Sequence, residues 1–179
     1  FREAAGGAGA YAGLFRFGAT ELVALTWLPR LIVAMKRDFP ELVPAPEVAG
    51  SAEMFAKLAA DELDLVIGLD PPASSDLARL PLGEVRLEWV CAPGFGPKRD
   101  AVRLETLARY PVLTQTQGSG LQRLVLDWAA AHGLEINRVV QCNSLNVLAG
   151  LAAAGVGITF LTANYFAPEI ESGRLRVIR

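Results

Sequence analysis

The sequence predicts a parallel α/β fold, and three observations carry that prediction. From Leu14 onward, short apolar stretches of strand length alternate with longer stretches of helical periodicity. Apolar residues make up 52% of the 179, enough to bury a sizeable core. Two turn-rich stretches, Pro71-Pro72-Ala73-Ser74-Ser75-Asp76 and Pro93-Gly94-Phe95-Gly96-Pro97, punctuate the alternation as surface loops.

In chain order, residues 2–13 are rich in Ala and Gly and read as a tail on composition alone. Alternation at Leu14, Phe15, Phe17 and Ala19 predicts a strand over 14–19 with one well-buried face. Leu28, Leu31, Ile32, Met35 and Phe39 recur at helical spacing, which predicts a helix over 25–38 that Pro40 stops. A strand over 43–49, a helix over 51–60 and a strand over 64–68 follow. The bulky apolar run from Val85 to Val90 predicts a strand over 85–92. Beyond it the pattern gives a helix over 104–108, a strand over 111–115, a helix over 119–132, a strand over 137–142, a helix over 145–154 and a strand over 157–161.

Composition narrows the function. A net charge of −2 offers no basic patch for nucleic acid. No apolar run approaches the roughly 18 residues that span a bilayer. Cys91 and Cys142 are too few for a disulfide framework and read as small core residues, with a redox pair as the other reading, since both fall on predicted strands. Phe1 is not an initiator methionine, so the chain reads as a fragment. Catalytic patterns are missing from the sequence. No G-x-S-x-G surrounds a serine, no Cys/His cluster has metal spacing, and no G-x-G-x-x-G follows a strand. The single histidine, His132, ends a helix before Gly133, where a dipole interaction suffices. Asp61, Glu62 and Asp64 form a small acidic group, two of them on an exposed turn. Trp27, Trp89 and Trp128 fall on predicted elements and suit core or interface packing. No cofactor or metal is expected, and the chain reads as a binding module.

Ligands of open α/β sheets bind outside the carboxyl ends of strands. Thr20 and Glu21 stand at such an end, and Thr20 either contacts a ligand or caps the helix after it. Gly50-Ser51 precedes a helix with Glu53 in its first turn, which suits a Ser N-cap as well as a ligand contact. Thr114-Gln115-Thr116-Gln117-Gly118-Ser119-Gly120 is the most polar cluster of the second half; it is either a ligand loop or a glycine-rich connection with Ser119 as N-cap. Asn143-Ser144 ends a strand and opens a helix, with the same two readings.

Several of these segments resemble one known family. Gly18-Ala19-Thr20, Leu28-Pro29 and Phe39-Pro40 resemble the opening G-A-S-x-T, L-P and F-x-x-x-Y-P of the effector-binding domain of LysR-type transcriptional regulators. Thr20 stands at the usual Ser, and Leu22 where a second hydroxyl residue is common. Val48-Ala49-Gly50-Ser51 and Leu58 to Ile67 resemble the next strand and the L-x-x-G-x-L-D-L-A-I segment, with Asp61-Glu62 replacing the glycine turn. Leu148 to Leu161 resembles V-x-A-G-L-G-I-A-L-L-P, and Gly173-Arg174-Leu175 the closing G-x-L. The match runs from about Leu14 to Arg179, and its specificity lies in the order and spacing of motifs that are individually weak.

The resemblance implies a two-lobed, type 2 periplasmic-binding-protein-like α/β fold, each lobe a Rossmann-like mixed sheet flanked by helices, joined by two crossover strands. It divides the chain into the end of a linker helix or a tail (1–13), lobe one (14–86 with 163–179) and lobe two (87–162). It implies an effector, such as an amino acid, organic acid or related metabolite, held between the lobes by Ala19, Thr20, Glu21, Leu22, Gly50, Ser51, Gly68, Thr114, Gln115, Thr116, Asn143 and Ser144. It implies a cytoplasmic bacterial homodimer, tetrameric at full length, paired through Leu28, Leu31, Ile32 and Met35 of one chain and Leu121, Leu124 and Trp128 of its neighbour. DNA would be bound only through an N-terminal winged helix-turn-helix, with no membrane contact. The alternative reading is a stand-alone solute-binding receptor of a transporter.

Overall fold

The computed structural model describes residues 11–69, 77–97 and 104–178. The Pro71–Asp76 loop and most of the 2–13 tail of the sequence reading lie outside these residues. The chain divides into two compact units, Phe1–Pro71 and Pro72–Arg179.

The first unit is a three-stranded parallel sheet in the order β2-β1-β3. Its centre is β1 (Gly13–Ala19), flanked by β2 (Leu42–Val48) and β3 (Leu65–Ile67). Phe15, Phe17 and Ala19 face one side, where Leu28, Leu31, Ile32 and Met35 pack against Phe17, Ala19, Val23 and Ile67. Gly18 faces the other, beneath the helix that carries Met54. Both faces of β1 are thus covered, and Phe17 and Ala19 are fully buried. Pro44 and Pro46 sit on β2, an edge strand, where missing N–H donors cost least.

The helix expected over 25–38 is two helices, α1 (Glu21–Thr26) and α2 (Leu28–Asp38). Pro29 lies in the first turn of α2, a position proline tolerates, whereas in one unbroken helix it would remove an interior hydrogen bond. The chain breaks at Trp27 instead, whose φ of −129° and ψ of −10° are not helical. On the opposite face, α3 (Ser51–Ala59) ends through Asp61 in the left-handed region (φ 57°), with Glu62 N donating to Lys57 O at 2.9 Å. Glycine commonly fills such a cap, and a side chain there costs roughly 1–2 kcal/mol.

Asp64 is not a member of a free acidic group. Its carboxylate accepts from Arg16 Nη2 at 2.7 Å and from Arg16 backbone N at 2.9 Å, and its own N donates to Arg16 O at 2.8 Å. The guanidinium holds the Asp64 carboxyl below the usual carboxylate range. This pair clamps the start of β3 to β1.

The second unit is a five-stranded mixed sheet, β6-β5-β7-β4-β8. Strands β5 (Val112–Thr114), β6 (Arg138–Gln141) and β7 (Ile158–Thr162) run parallel, while β4 (Leu87–Cys91) pairs antiparallel with β7 and with β8 (Arg176–Val177). Helices α4 (Leu104–Leu107), α5 (Gly120–Ala131), α6 (Leu145–Ala153) and α7 (Ala167–Glu171) complete it. The assignment of 163–179 to the first lobe differs from this pairing. Ile178 is buried in a cluster with Cys91, Leu107, Val112 and Ile158, and its N donates to Trp89 O at 2.8 Å. Cys91 is a core residue as expected: its Sγ lies 3.1 Å from Phe95 O, and burial pushes the thiol up. Both cysteines are free.

A Cβ at Gly18 would lie 2.7 Å from Met54 Sδ and 3.0 Å from Leu63 Cδ1. Gly18→Ala is therefore expected to cost about 1–3 kcal/mol by overpacking. Urea unfolding measures it, and Met54→Ala in the same background should cost less than Met54→Ala alone.

Candidate functional site

Each unit carries a polar edge where parallel strands end. In the first, the register pairs Ala19 with both Val48 and Ile67, so the strand ends deliver Thr20, Gly50-Ser51 and Gly68 to one edge. Thr20 N donates to Ile67 O at 3.1 Å, fixing the turn into α1. Thr20 is the N-cap of α1 by position, yet its side chain makes no capping hydrogen bond, and its Oγ1 is buried without a hydrogen-bond partner.

Ser51 is not the N-cap of its helix. That position belongs to Gly50, which has no side chain to cap with, and Ser51 is the first helical residue. Its Oγ is buried and unpartnered too. Two orphaned hydroxyls thus flank the start of a nine-residue helix whose first N–H groups have no side-chain acceptor. Buried polar groups are nearly always paired, and leaving one unpaired costs about 1–3 kcal/mol. A small oxygen-bearing group that reached either hydroxyl would complete its hydrogen bonding.

The remaining candidates of this unit divide. Ala19 and Leu22 are buried, so their side chains serve the core and only their backbone is available to a ligand. Glu21 opens α1 and is half-buried. Gly68 matters through what it lacks: a Cβ there would lie 2.9 Å from Thr20 Cγ2. The nearby cations are committed, Lys57 to Glu47 and Glu53 and Arg16 to Asp64.

In the second unit, β5 ends at Thr114 and β6 at Gln141, and Cys142 N donates to Thr114 O at 3.0 Å. That bond sets Thr114-Gln115-Thr116 beside Asn143-Ser144. Ser119 caps α5, accepting from Leu121 N at 3.2 Å and Gln122 N at 3.4 Å, and donates to Gln115 Oε1. Ser144 caps α6 by accepting from Val147 N at 3.4 Å. Asn143 is exposed, while Gln115 and Thr116 are half-buried. Thr114 is buried, and its Oγ1 has no partner.

Thr114 also lines a small recess together with Trp89, Gln122, Val125, Leu148 and Phe160. The sequence reading missed Gln122 and gave Trp89 a packing role only. The available signal was helical spacing: Gln122 shares an inward face with Val125 and Ala129, so a polar side chain sits where the core is expected.

The expected subunit-contact residues fall into two groups. Leu28, Leu31, Ile32 and Met35 are half-buried against their own unit's core, and Leu121 is buried. Trp128 packs on the core of the second unit. Leu124 is exposed, and Val33 is the apolar residue that α2 turns outward, at 70% exposure. Among the described residues, no group of His, Cys, Asp and Glu is arranged to hold a metal, and no helix is long and apolar enough to cross a membrane.

The family model of the LysR substrate binding domain matches residues 8–179. The HTH-type transcriptional regulator BbuR of Bordetella bronchiseptica is 27% identical over 178 residues, covering 97% of this chain and 54% of that protein. The regulatory domain of CcmR from Synechocystis PCC6803, solved in complex with 2-PG, superposes with a TM-score of 0.83 at 18% identity over 93% of this chain and 80% of its own. The effector binding domain of QuiR, in complex with shikimate, gives 0.80 at 18% identity over 94% and 80%. At that identity the two structures establish the fold, the two-lobed periplasmic-binding-protein-like α/β fold expected from the sequence. The chain spans about half the length of the curated regulators it matches.

Replacing Gly68 by Ala is expected to push the Thr20 side chain out of its rotamer, because the added Cβ meets Thr20 Cγ2. In methyl NMR spectra the Thr20 resonance and its χ1 couplings should change while those of Val23 stay in place.

Proposed function

Because this chain belongs to the LysR substrate binding domain family, we propose that it is the effector-binding regulatory domain of a LysR-type transcriptional regulator. The observation that carries the reading is the pair of buried, unpartnered hydroxyls, Thr20 Oγ1 and Ser51 Oγ, beside the uncapped start of α3. An effector completes hydrogen bonds that the protein leaves open. Thr114, Gln115, Thr116, Asn143 and Ser144 form the polar edge of the second unit.

The chemistry favours a small organic acid, amino acid or hydroxylated metabolite. Helix N–H groups and hydroxyls suit a carboxylate or a hydroxyl. Among the described residues of this unit, Arg16 is paired with Asp64 and Lys57 with Glu47 and Glu53, so neither is a spare counter-charge for a multiply charged anion. The 2-PG and shikimate complexes of the structural relatives fit a family that takes small polar molecules. The domain acts by differential affinity: an effector that prefers one arrangement of the subunits shifts the population toward it. The regulator is cytoplasmic and binds DNA through a winged helix-turn-helix outside this sequence. The family comprises transcriptional regulators rather than an enzyme class.

A thermal-shift screen of amino acids and organic acids, shikimate included, is the first test. Thr20→Val and Ser51→Ala are each expected to weaken a hit by several-fold to tenfold in calorimetry, since a net hydrogen bond is worth about 0.5–1.5 kcal/mol. Unchanged affinity in both variants would move the site elsewhere.

Subunit pairing runs through the outward faces of α2 and α5. Val33 and Leu124 are the exposed apolar residues there. Val33→Asp and Leu124→Asp should each raise the dimer dissociation constant in sedimentation, whereas Leu31→Asp should instead lower the stability of the fold, because Leu31 packs inward.

A further inference from the structure

The recess of the second unit has a chemistry that the rest of the site lacks. Its walls are Trp89 and Phe160, paired across β4 and β7 with ring centroids 5.2 Å apart, and Leu121, Val125 and Leu148 from α5 and α6. All eleven residues that line it are uncharged. Thr159 lies on the wall, but its hydroxyl is committed to Leu113 O at 3.0 Å. The Gln115 carboxamide is engaged by Ser119. Thr114 differs: it is 95% buried and its Oγ1 has no partner.

We infer that this recess is a subsite for one hydroxyl group of the effector, held by Thr114 Oγ1. Three alternatives fail on physical grounds. A carboxylate or ammonium would be stripped of water among uncharged walls with no counter-ion, at a cost far above one hydrogen bond. A methyl group would fit the apolar walls but leave Thr114 Oγ1 orphaned. A carbonyl oxygen accepts from Thr114 Oγ1 but has no proton to donate to it. A hydroxyl both donates to and accepts from Thr114 Oγ1.

The inference rests on the effector-binding reading and sharpens it to hydroxylated compounds. A site that hydrogen-bonds a substrate hydroxyl rejects the analogue lacking it far more strongly than an apolar pocket rejects one methylene. The recess also shares walls with α5: Leu121, Gln122 and Val125 face it, while Leu124 faces out. Filling it therefore bears on the helix that offers Leu124 to a neighbouring subunit.

The test uses methanol, the smallest one-hydroxyl probe, so that it reads the recess without the effector. Crystals soaked in methanol should show its oxygen within about 2.7–2.8 Å of Thr114 Oγ1. Thr114→Val, of nearly the same shape, should keep the fold and lose the bound methanol. In solution, methanol should shift tryptophan emission saturably in the wild type, and not in Thr114→Val or Trp89→Phe. Equal binding in the valine variant, methanol bound methyl-first, or preferential occupation by acetate or methylammonium would each overturn the inference. None of these outcomes bears on Thr20 and Ser51, so failure here is distinguishable from failure of the effector site itself.

Discussion

The first unit depends on one contact, the seating of Met54 and Leu63 against the bare backbone of Gly18. Gly18 sits in the centre strand of the sheet, one residue before Ala19 and two before Thr20. Because no side chain stands there, α3 lies close enough for Met54 to be fully buried. Ser51 is three residues, about one helical turn, before Met54, so the same contact that seals the core sets the start of α3 at the strand ends. Packing and function are coupled at this point. Moving the helix outward to accept a methyl group on residue 18 moves Ser51 away from the edge that Thr20 occupies.

The second unit repeats the device with a different residue. A Cβ at Gly157 would lie 2.5 Å from Pro111 O, and Ile158 N donates to that same carbonyl at 2.8 Å. The bare glycine lets β7 enter beside β5, and the pairing carries on through Val112 and Leu113 to the strand end at Thr114. In both units a glycine before the polar edge permits a close backbone or helix approach, and a threonine at the strand end carries a hydroxyl without a partner. An unsatisfied buried hydroxyl lowers stability by about 1–3 kcal/mol. That cost is tolerated because the surrounding core is well packed.

Most of the architecture was legible in the sequence because it rests on periodicity and turn chemistry. The strands over 14–19, 43–49 and 157–161 match β1, β2 and β7 within a residue at each end, and the helices over 51–60, 119–132 and 145–154 match α3, α5 and α6 as closely. The misses have local causes. The break at Trp27 follows from proline geometry, which competes with an otherwise continuous apolar stripe. Strand β8 has two residues, too few for any period to register, and its place is set by the burial of Leu175 and Ile178. The inward packing of α2 was not legible either, because spacing reports that a face is apolar and not what covers it. At the site, the residue types were legible from strand-end position alone. Which hydroxyls were committed to caps was not: Ser119 and Ser144 cap helices, whereas Thr20 and Ser51 do not.

That distinction between committed and open groups bears on what the domain can recognise. Near the first polar edge Arg16 is neutralised by Asp64, and Lys57 by Glu47 and Glu53. Among the described residues, the buried hydroxyls left without a partner are those of Thr20 and Ser51 in the first unit and Thr114 in the second. Neutral hydrogen-bonding groups discriminate by shape and by the number of bonds completed, and they do so without the long-range attraction that would gather any anion in the cell.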